Sequence, residues 1–209
     1  ANNEVGTIQP VKEIAALCKA KGIVFFTDAV QAAGAIPLNV KEIGADMLSF
    51  SAHKFYGPKG IGVLYIRSGL KIEKLVSGGH QERSMRGGTT NVPAVVGMAE
   101  ALRIATQSLD ENAAYVSAIR DRFIHRVLRE IPYVKLNGHP EKRLPANANF
   151  SFRYIEGESL LFSLDLKNIA VSSGSACSSG SLEQIVVKLR ALSPLFPKEL
   201  KNEVYPKEQ

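Results

Sequence analysis

"SFSAHKFYGPKGIG", residues 49–62, decides how this chain is read. A short apolar run passes through Ser51 and His53 to Lys54. It then meets Gly57, Pro58 and Gly60 before a second apolar run, "GIGVLYIR" (60–67). Glycine turns the backbone tightly where other residues cannot. The stretch therefore predicts a strand ending near Lys54, a tight turn and another strand. Upstream, "IVFFTDA" (23–29) is rich in β-branched and aromatic residues and predicts a buried strand ending at Asp28. Before it, "QPVKEIAALCKAKG" (9–22) spaces Val11, Ile14, Ala15, Leu17 and Cys18 as a helix does, with Pro10 at its start and Gly22 after its end. Cys18 falls on the apolar stripe and is assigned to structure. Helix and near-continuous apolar strands in alternation predict an α/β fold with a mostly parallel sheet.

Downstream the pattern changes. "VPAVVGMAEALRIA" (92–105) and "LDENAAYVSAIRDRFIHRVLREI" (109–131) are helical, the second predicted to be capped by Asp110. A strand-like "YVKLNG" (133–138), an alternating "NANFSFRYI" (147–155), a helix in "SLLFSLDLKN" (159–168) and a strand "IAVSS" (169–173) follow. "EQIVVKLRALSPLF" (183–196) predicts an amphipathic helix and "PKELKNEVYPKEQ" (197–209) a frayed tail. This is an α+β layout. The expected organisation is a large α/β domain over 1–108 and a smaller α+β domain over 109–209.

The chain has 209 residues, 45% hydrophobic and 22% charged, a globular composition rather than a disordered or membrane one. No apolar run approaches the ~20 residues a membrane helix needs. The net charge of +6 is spread along the chain without an arginine-rich block, which argues against nucleic-acid binding and leaves room for an anionic ligand. The two cysteines, Cys18 and Cys177, form no disulfide framework and suit a reducing, cytoplasmic setting. Neither has a second Cys or a His at metal-ligand spacing, so no metal site is expected.

Asp28 and Lys54 carry the chemistry. Each ends one of two neighbouring predicted strands, and ligands of open α/β sheets bind at strand carboxyl ends. A lone lysine is ordinarily a solvated surface residue, and a lone aspartate after a strand ordinarily caps a helix. Together they match the needs of pyridoxal 5'-phosphate (PLP), which a lysine holds as a Schiff base while an acidic residue pairs with the pyridinium nitrogen. Ser51 and His53 are donors beside Lys54, suited to the phosphate. Gln31, three residues past Asp28, is suited to the phenolic oxygen.

These motifs, with "NNEVG" (2–6), "GGHQERSMRGGTTNVP" (78–93) and "SSGSACSSGS" (172–181), closely resemble the cysteine desulfurases of the NifS/IscS type. Those are fold-type I PLP enzymes of the class-V aminotransferase family. The resemblance runs from Asn2 to about Glu183. It implies that the sheet is a remnant of the PLP-binding large domain. It implies Lys54 as the Schiff-base lysine, Asp28 at the ring nitrogen, Gln31 and Asn3 at the ring oxygen and substrate side, and Ser51 and His53 at the phosphate. Thr89 would reach the phosphate of the other subunit's cofactor in a homodimer. Cys177 would be the nucleophile that takes sulfur from L-cysteine as a persulfide, releasing L-alanine. Its Ser/Gly surroundings suit a long mobile loop that delivers the sulfur to an acceptor protein such as an iron–sulfur scaffold.

Two departures from the family pattern shape the expectations. The family has a long stretch before "NNEVG", and "SSGSACSSGSLE" here runs straight into "QIVVKLRALSPLF". Part of the binding shell is expected to be missing, so that this chain alone binds PLP weakly and turns over little cysteine. A selenocysteine lyase-like enzyme and a truncated, non-catalytic binding module are the competing readings.

Overall fold

The computed structural model describes residues 1–173 and 184–188. The chain divides into two compact units, one of Pro10–Thr106 and one of Ala1–Gln9 with Gln107–Gln209.

In the Pro10–Thr106 unit, helix α1 spans Val11–Ala20. It begins after Pro10, where a missing N–H costs nothing, and stops before Gly22 at φ +67°. Strand β1, Phe26–Asp28, pairs in parallel with β2, Met47–Ser51, and Asp28 lies opposite Ser49. The short helix α2, Val40–Ile43, between them is capped by the Asn39 side chain, which accepts from the N–H groups of Lys41 and Glu42. Strand β3, Gly62–Ile66, completes the order β1-β2-β3 but runs antiparallel to β2. A parallel return needs a crossover of about a dozen residues or more, and Ala52–Ile61 is too short to provide one. Lys54 also sits beyond the strand rather than at its end, on the 3₁₀ turn Ala52–Phe55.

One carboxylate ties the three strands at the end away from that turn. Asp46 accepts from the Phe25 N–H at 2.9 Å and from Arg67 Nε at 2.6 Å, just before β2 begins, with Phe25 preceding β1 and Arg67 following β3. These bonds, the backbone one first, hold its carboxyl below the usual aspartate value. Helix α3, Val92–Gln107, covers the other end through Met98, Leu102 and Ala105, which pack on buried Ala33, Ala52 and Phe55. Phe50 and Phe55 meet edge to face with centroids 5.9 Å apart. Gly34 is required here. Its φ is +73°, and a Cβ would lie 2.7 Å from the Phe55 Cβ.

In the other unit, helix α4 spans Leu109–Glu130. It is preceded by Ser108 at the cap position, so the expected capping by Asp110 is corrected: Asp110 lies in the first turn. There its charge suits the helix dipole. Strands β4 (Val134–Leu136), β5 (Asn147–Phe152), β6 (Ser172–Ser173) and β7 (Gln184–Lys188) form an antiparallel sheet in the order β4-β5-β7-β6. Helix α5, Gly157–Asp165, precedes β6. The helix predicted from residue 183 onward is corrected, because Gln184–Lys188 is a strand paired with β5 and β6. "IVV" is β-branched throughout, which disfavours a helix and suits a sheet. The tail predicted to fray lies outside the described residues. The apolar core of this unit joins Ile124 and Val127 of α4 to Ala148 and Phe150 of β5.

Candidate active site

The parallel register of β1 and β2 brings their carboxyl ends to one edge of the sheet. Asp28 ends β1. Ser51 ends β2, and His53 and Lys54 follow at once on the 3₁₀ turn. Ala52 and Phe55 are buried beneath that turn, and His53 and Lys54, between and beside them, are exposed. The turn is closed by the Gly57 N–H donating to Ala52 O at 2.9 Å, with Tyr56 left-handed at φ +67°. Burial of the two apolar residues therefore turns the two polar ones outward.

Asp28 has two roles to divide between two oxygens. Its Oδ1 accepts from the Val30 N–H at 2.8 Å, so the turn-capping role is realised. Its other oxygen has no hydrogen bond among the described residues. Gln31 lies in the turn that this bond starts and is half-buried. Lys54 makes no ion pair among the described residues. The Ser51 hydroxyl is 2.8 Å from His53 Nδ1 and also reaches Ile61 O at 3.4 Å. An amine, a carboxylate oxygen, an amide, a hydroxyl and an imidazole thus share one edge. That donor set fits PLP, with its aldehyde, ring nitrogen, phenolic oxygen and phosphate. The Ser51 hydroxyl and the His53 imidazole are each capable of donating to an anion.

Asn3 belongs to the other unit, and so is not brought to this edge by the β1–β2 pairing. Its neighbour Asn2 accepts from the Glu4 and Val5 N–H groups at 2.8 and 3.0 Å and so caps a local turn. The Asn3 side chain makes no hydrogen bond among the described residues. Its backbone is strapped down. Asn147 Nδ2 donates to Asn3 O at 3.1 Å and to Glu4 O at 2.8 Å, and Asn149 Nδ2 donates to Glu4 O at 3.1 Å. Arg143 Nη2 donates to Val5 O at 2.9 Å and to Asn137 O at 2.8 Å. The Leu144 N–H donates to Gly6 O at 2.8 Å, and Asn137 Nδ2 joins Asn149 and Ser151 at 2.8 Å each.

These polar residues lie deep. Arg143 and Asn147 are 3% exposed and Asn149 is 0%. Arg143 Nε and Nη1 and Asn147 Oδ1 are buried without a partner among the described residues. Each such atom costs about 1–3 kcal/mol. Burial, and then repulsion from Arg120, lowers the Arg143 pKa below the ordinary arginine value. Arg120, itself buried, donates to Leu144 O at 3.0 Å and pairs with Asp121 at 2.7 Å. Sequence inspection passed over this network. The one available signal was "NANFSF", in which asparagine alternates with apolar residues on a strand.

Thr89 lies in the Pro10–Thr106 unit, in the exposed segment before α3, and makes no hydrogen bond among the described residues. Asn91 Oδ1 accepts the Ala94 N–H at 3.2 Å and anchors that segment to the start of α3. Cys177 lies outside the described residues. Among the described residues, no helix is long and apolar enough to cross a membrane, and no group of His, Cys, Asp and Glu could hold a metal ion.

The family model "Aminotransferase class-V" matches residues 1–195. A cysteine desulfurase IscS from Dictyoglomus turgidum is 54% identical over 183 residues, covering 88% of this chain and 46% of that protein. The X-ray structure of a NifS-like protein from Rickettsia africae is similar with a TM-score of 0.82 at 31% identity, over 99% of this chain and 60% of that one. A structure of SspA in complex with cysteine is similar with a TM-score of 0.70 at 28% identity, over 91% of this chain and 57% of that one. The chain spans about half the length of the curated relatives it matches.

Proposed function

The chain belongs to the class-V aminotransferase family, and from that premise we propose that it is a PLP-dependent cysteine desulfurase. The overall reaction takes L-cysteine and the Cys177 thiol to L-alanine and a Cys177 persulfide, with every atom retained. The observation that carries the proposal is the shared edge. Asp28 and Lys54, residues of the two chemical types a PLP site needs, end or follow two strands paired in parallel. The likeness to cysteine desulfurases and to a protein solved with bound cysteine supports cysteine as the substrate.

PLP, when bound, supplies the electron sink for charge on the substrate Cα. Lys54 supplies the amine that anchors it. The free oxygen of Asp28 holds the proton at the ring nitrogen. Ser51 and His53 donate to the phosphate, and Gln31 and Asn3 donate to the ring oxygen and the substrate side. The exposure of the Ser51–Lys54 turn leaves it open to ligand. Cys177 receives the sulfur as a thiolate and passes it to an acceptor protein, such as an iron–sulfur scaffold, in the cytoplasm. Thr89 completes the phosphate site of the partner subunit in a homodimer. Residues 1–108 serve the cofactor, and 109–209 carry the sulfur-receiving loop.

A single-turnover assay tests this even if turnover is slow. The full chain, loaded with PLP, is given L-cysteine, and alanine and trapped persulfide are measured. One alanine per sulfur is expected, with the added sulfur mapped by mass spectrometry to Cys177. Both Cys177→Ser and Lys54→Ala abolish the adduct. A cysteine-dependent persulfide that survives in Cys177→Ser, or a borohydride-fixed cofactor mapped away from Lys54, refutes the assignment.

A further inference from the structure

We propose that Gly97 is a positioning residue for Lys54, leaving on α3 the seat against which the lysine turn is held. This rests on the reading of Lys54 as the residue that anchors PLP.

Three observations carry it. First, Gly97 lies in the interior of α3, where alanine favours a helix more than glycine does. Helix stability alone therefore does not account for it. Second, the room that its missing side chain leaves is taken by Pro58, which follows Lys54 closely in the chain. A Cβ at Gly97 would lie 2.8 Å from Pro58 Cγ and 3.3 Å from Pro58 Cδ. Carbon atoms rest about 3.5–4.0 Å apart, so a methyl group there asks Pro58 to withdraw by roughly 0.7 Å or more. The proline ring is bonded to its own backbone nitrogen, so it cannot swing aside as a flexible side chain can. The withdrawal passes into the chain. Third, the chain between Pro58 and Lys54 has no slack to absorb it. A Cβ at Gly57 would lie 2.9 Å from the Cβ and 3.0 Å from the O of Ala52, and 3.3 Å from the Cβ of Ala101, one turn along α3 from Gly97. Ala52 is 0% exposed, and the Gly57 N–H donates to its carbonyl at 2.9 Å. Ala52 and Phe55 are the buried ends of the 3₁₀ turn that carries Lys54. A shift of Pro58 thus reaches that turn and moves the Lys54 backbone with it.

Gly97→Ala, made in the full chain, adds one methyl group to the seat. Without cofactor, hydrogen exchange at the Gly57 N–H is expected to rise about tenfold. With PLP, the rate of borohydride trapping at Lys54 is expected to fall about tenfold, as for a reacting group misplaced by less than 1 Å. The pH midpoint of the visible absorbance of Lys54-bound PLP is expected to move as well. Adding Pro58→Ala to Gly97→Ala removes the ring atoms that the methyl group meets. Both rates are then expected to return to within about twofold of the wild type, and the midpoint with them. Where Gly97→Ala does not fold, the double variant decides alone. A double variant that folds and traps PLP at Lys54 supports the seat, and one that does not fold or does not trap overturns it. Unchanged exchange or unchanged trapping in a folded Gly97→Ala chain, or a double variant that recovers neither, also overturns the positioning role. PLP fixed to another lysine in the wild type instead overturns the reading of Lys54, and the positioning role with it.

Discussion

Replacing Phe55 with alanine tests how the lysine turn is held. Phe55 is 2% exposed, meets Phe50 edge to face and belongs with Ala33 and Ala52 to the buried cluster that Met98 and Leu102 of α3 cover. Truncating a buried phenylalanine costs about 3–5 kcal/mol, including its cavity. The edge contact with Phe50 accounts for about 0.5–1.5 kcal/mol of such a loss. At ~0.05–0.15 kcal/mol per residue, a unit the size of Pro10–Thr106 has about 5–15 kcal/mol in all. The change therefore removes a large share of its stability. Phe55→Leu keeps most of the volume and is expected to cost about 1–2 kcal/mol. Urea unfolding followed by circular dichroism measures both. With a slope of about 1–3 kcal/mol per molar urea, the alanine midpoint falls by roughly 2 M. Because Lys54 adjoins Phe55 on a single turn, borohydride trapping of PLP at Lys54 falls in the same order. A loss below about 1 kcal/mol for Phe55→Ala, or undiminished trapping in the destabilised chain, would show that the turn is held by something else.

Further outcomes follow from the sheet and its covering helix. The Asp46 carboxyl is held below its ordinary value, so the folded form binds fewer protons there than the unfolded one. Its contribution is present above the ordinary aspartate value of 3.8 and is lost as pH falls below it toward the folded value. The melting temperature is therefore expected to fall more steeply on acidification in the wild type than in Asp46→Ala, and parallel curves would count against the three-strand tie. Gly34→Ala forces a side chain into a left-handed backbone and against Phe55. A loss of at least about 1–2 kcal/mol is expected, and an unchanged melting curve would contradict the close approach.

The order of strands and helices was legible because apolar runs of different period sit between clear stop signals. Asp28 and Lys54 were legible as a pair because both types of chemistry fall at strand ends, and parallel pairing then brings the ends together. Direction was harder to read. "GIGVLYIR" has the composition of a parallel strand, yet the length of the preceding turn makes it antiparallel. Gln184–Lys188 shows the opposite competition, where apolar spacing suits a helix and β-branching with available partners in β5 and β6 suits a strand. The asparagine network on the Asn3 and Glu4 carbonyls was not legible at all. It depends on residues more than a hundred positions away, and an asparagine on a strand reveals its partner only once the chain has closed on itself.

The two faces of β5 have a consequence for folding fidelity. Ala148 and Phe150 face the apolar side chains of α4, and Asn147 and Asn149 face the carbonyls of Asn3 and Glu4. Both faces are buried, so a slip of one residue exposes nothing to water. It would instead press Phe150 against bare carbonyls and drive asparagine amides among Ile124 and Val127. A strand whose two faces are alike has little to tell one alignment from the next. Here the alternation of amide and hydrocarbon makes each neighbouring alignment a mismatch on both sides, so the N-terminal segment whose carbonyls β5 holds also proofreads the sheet behind it.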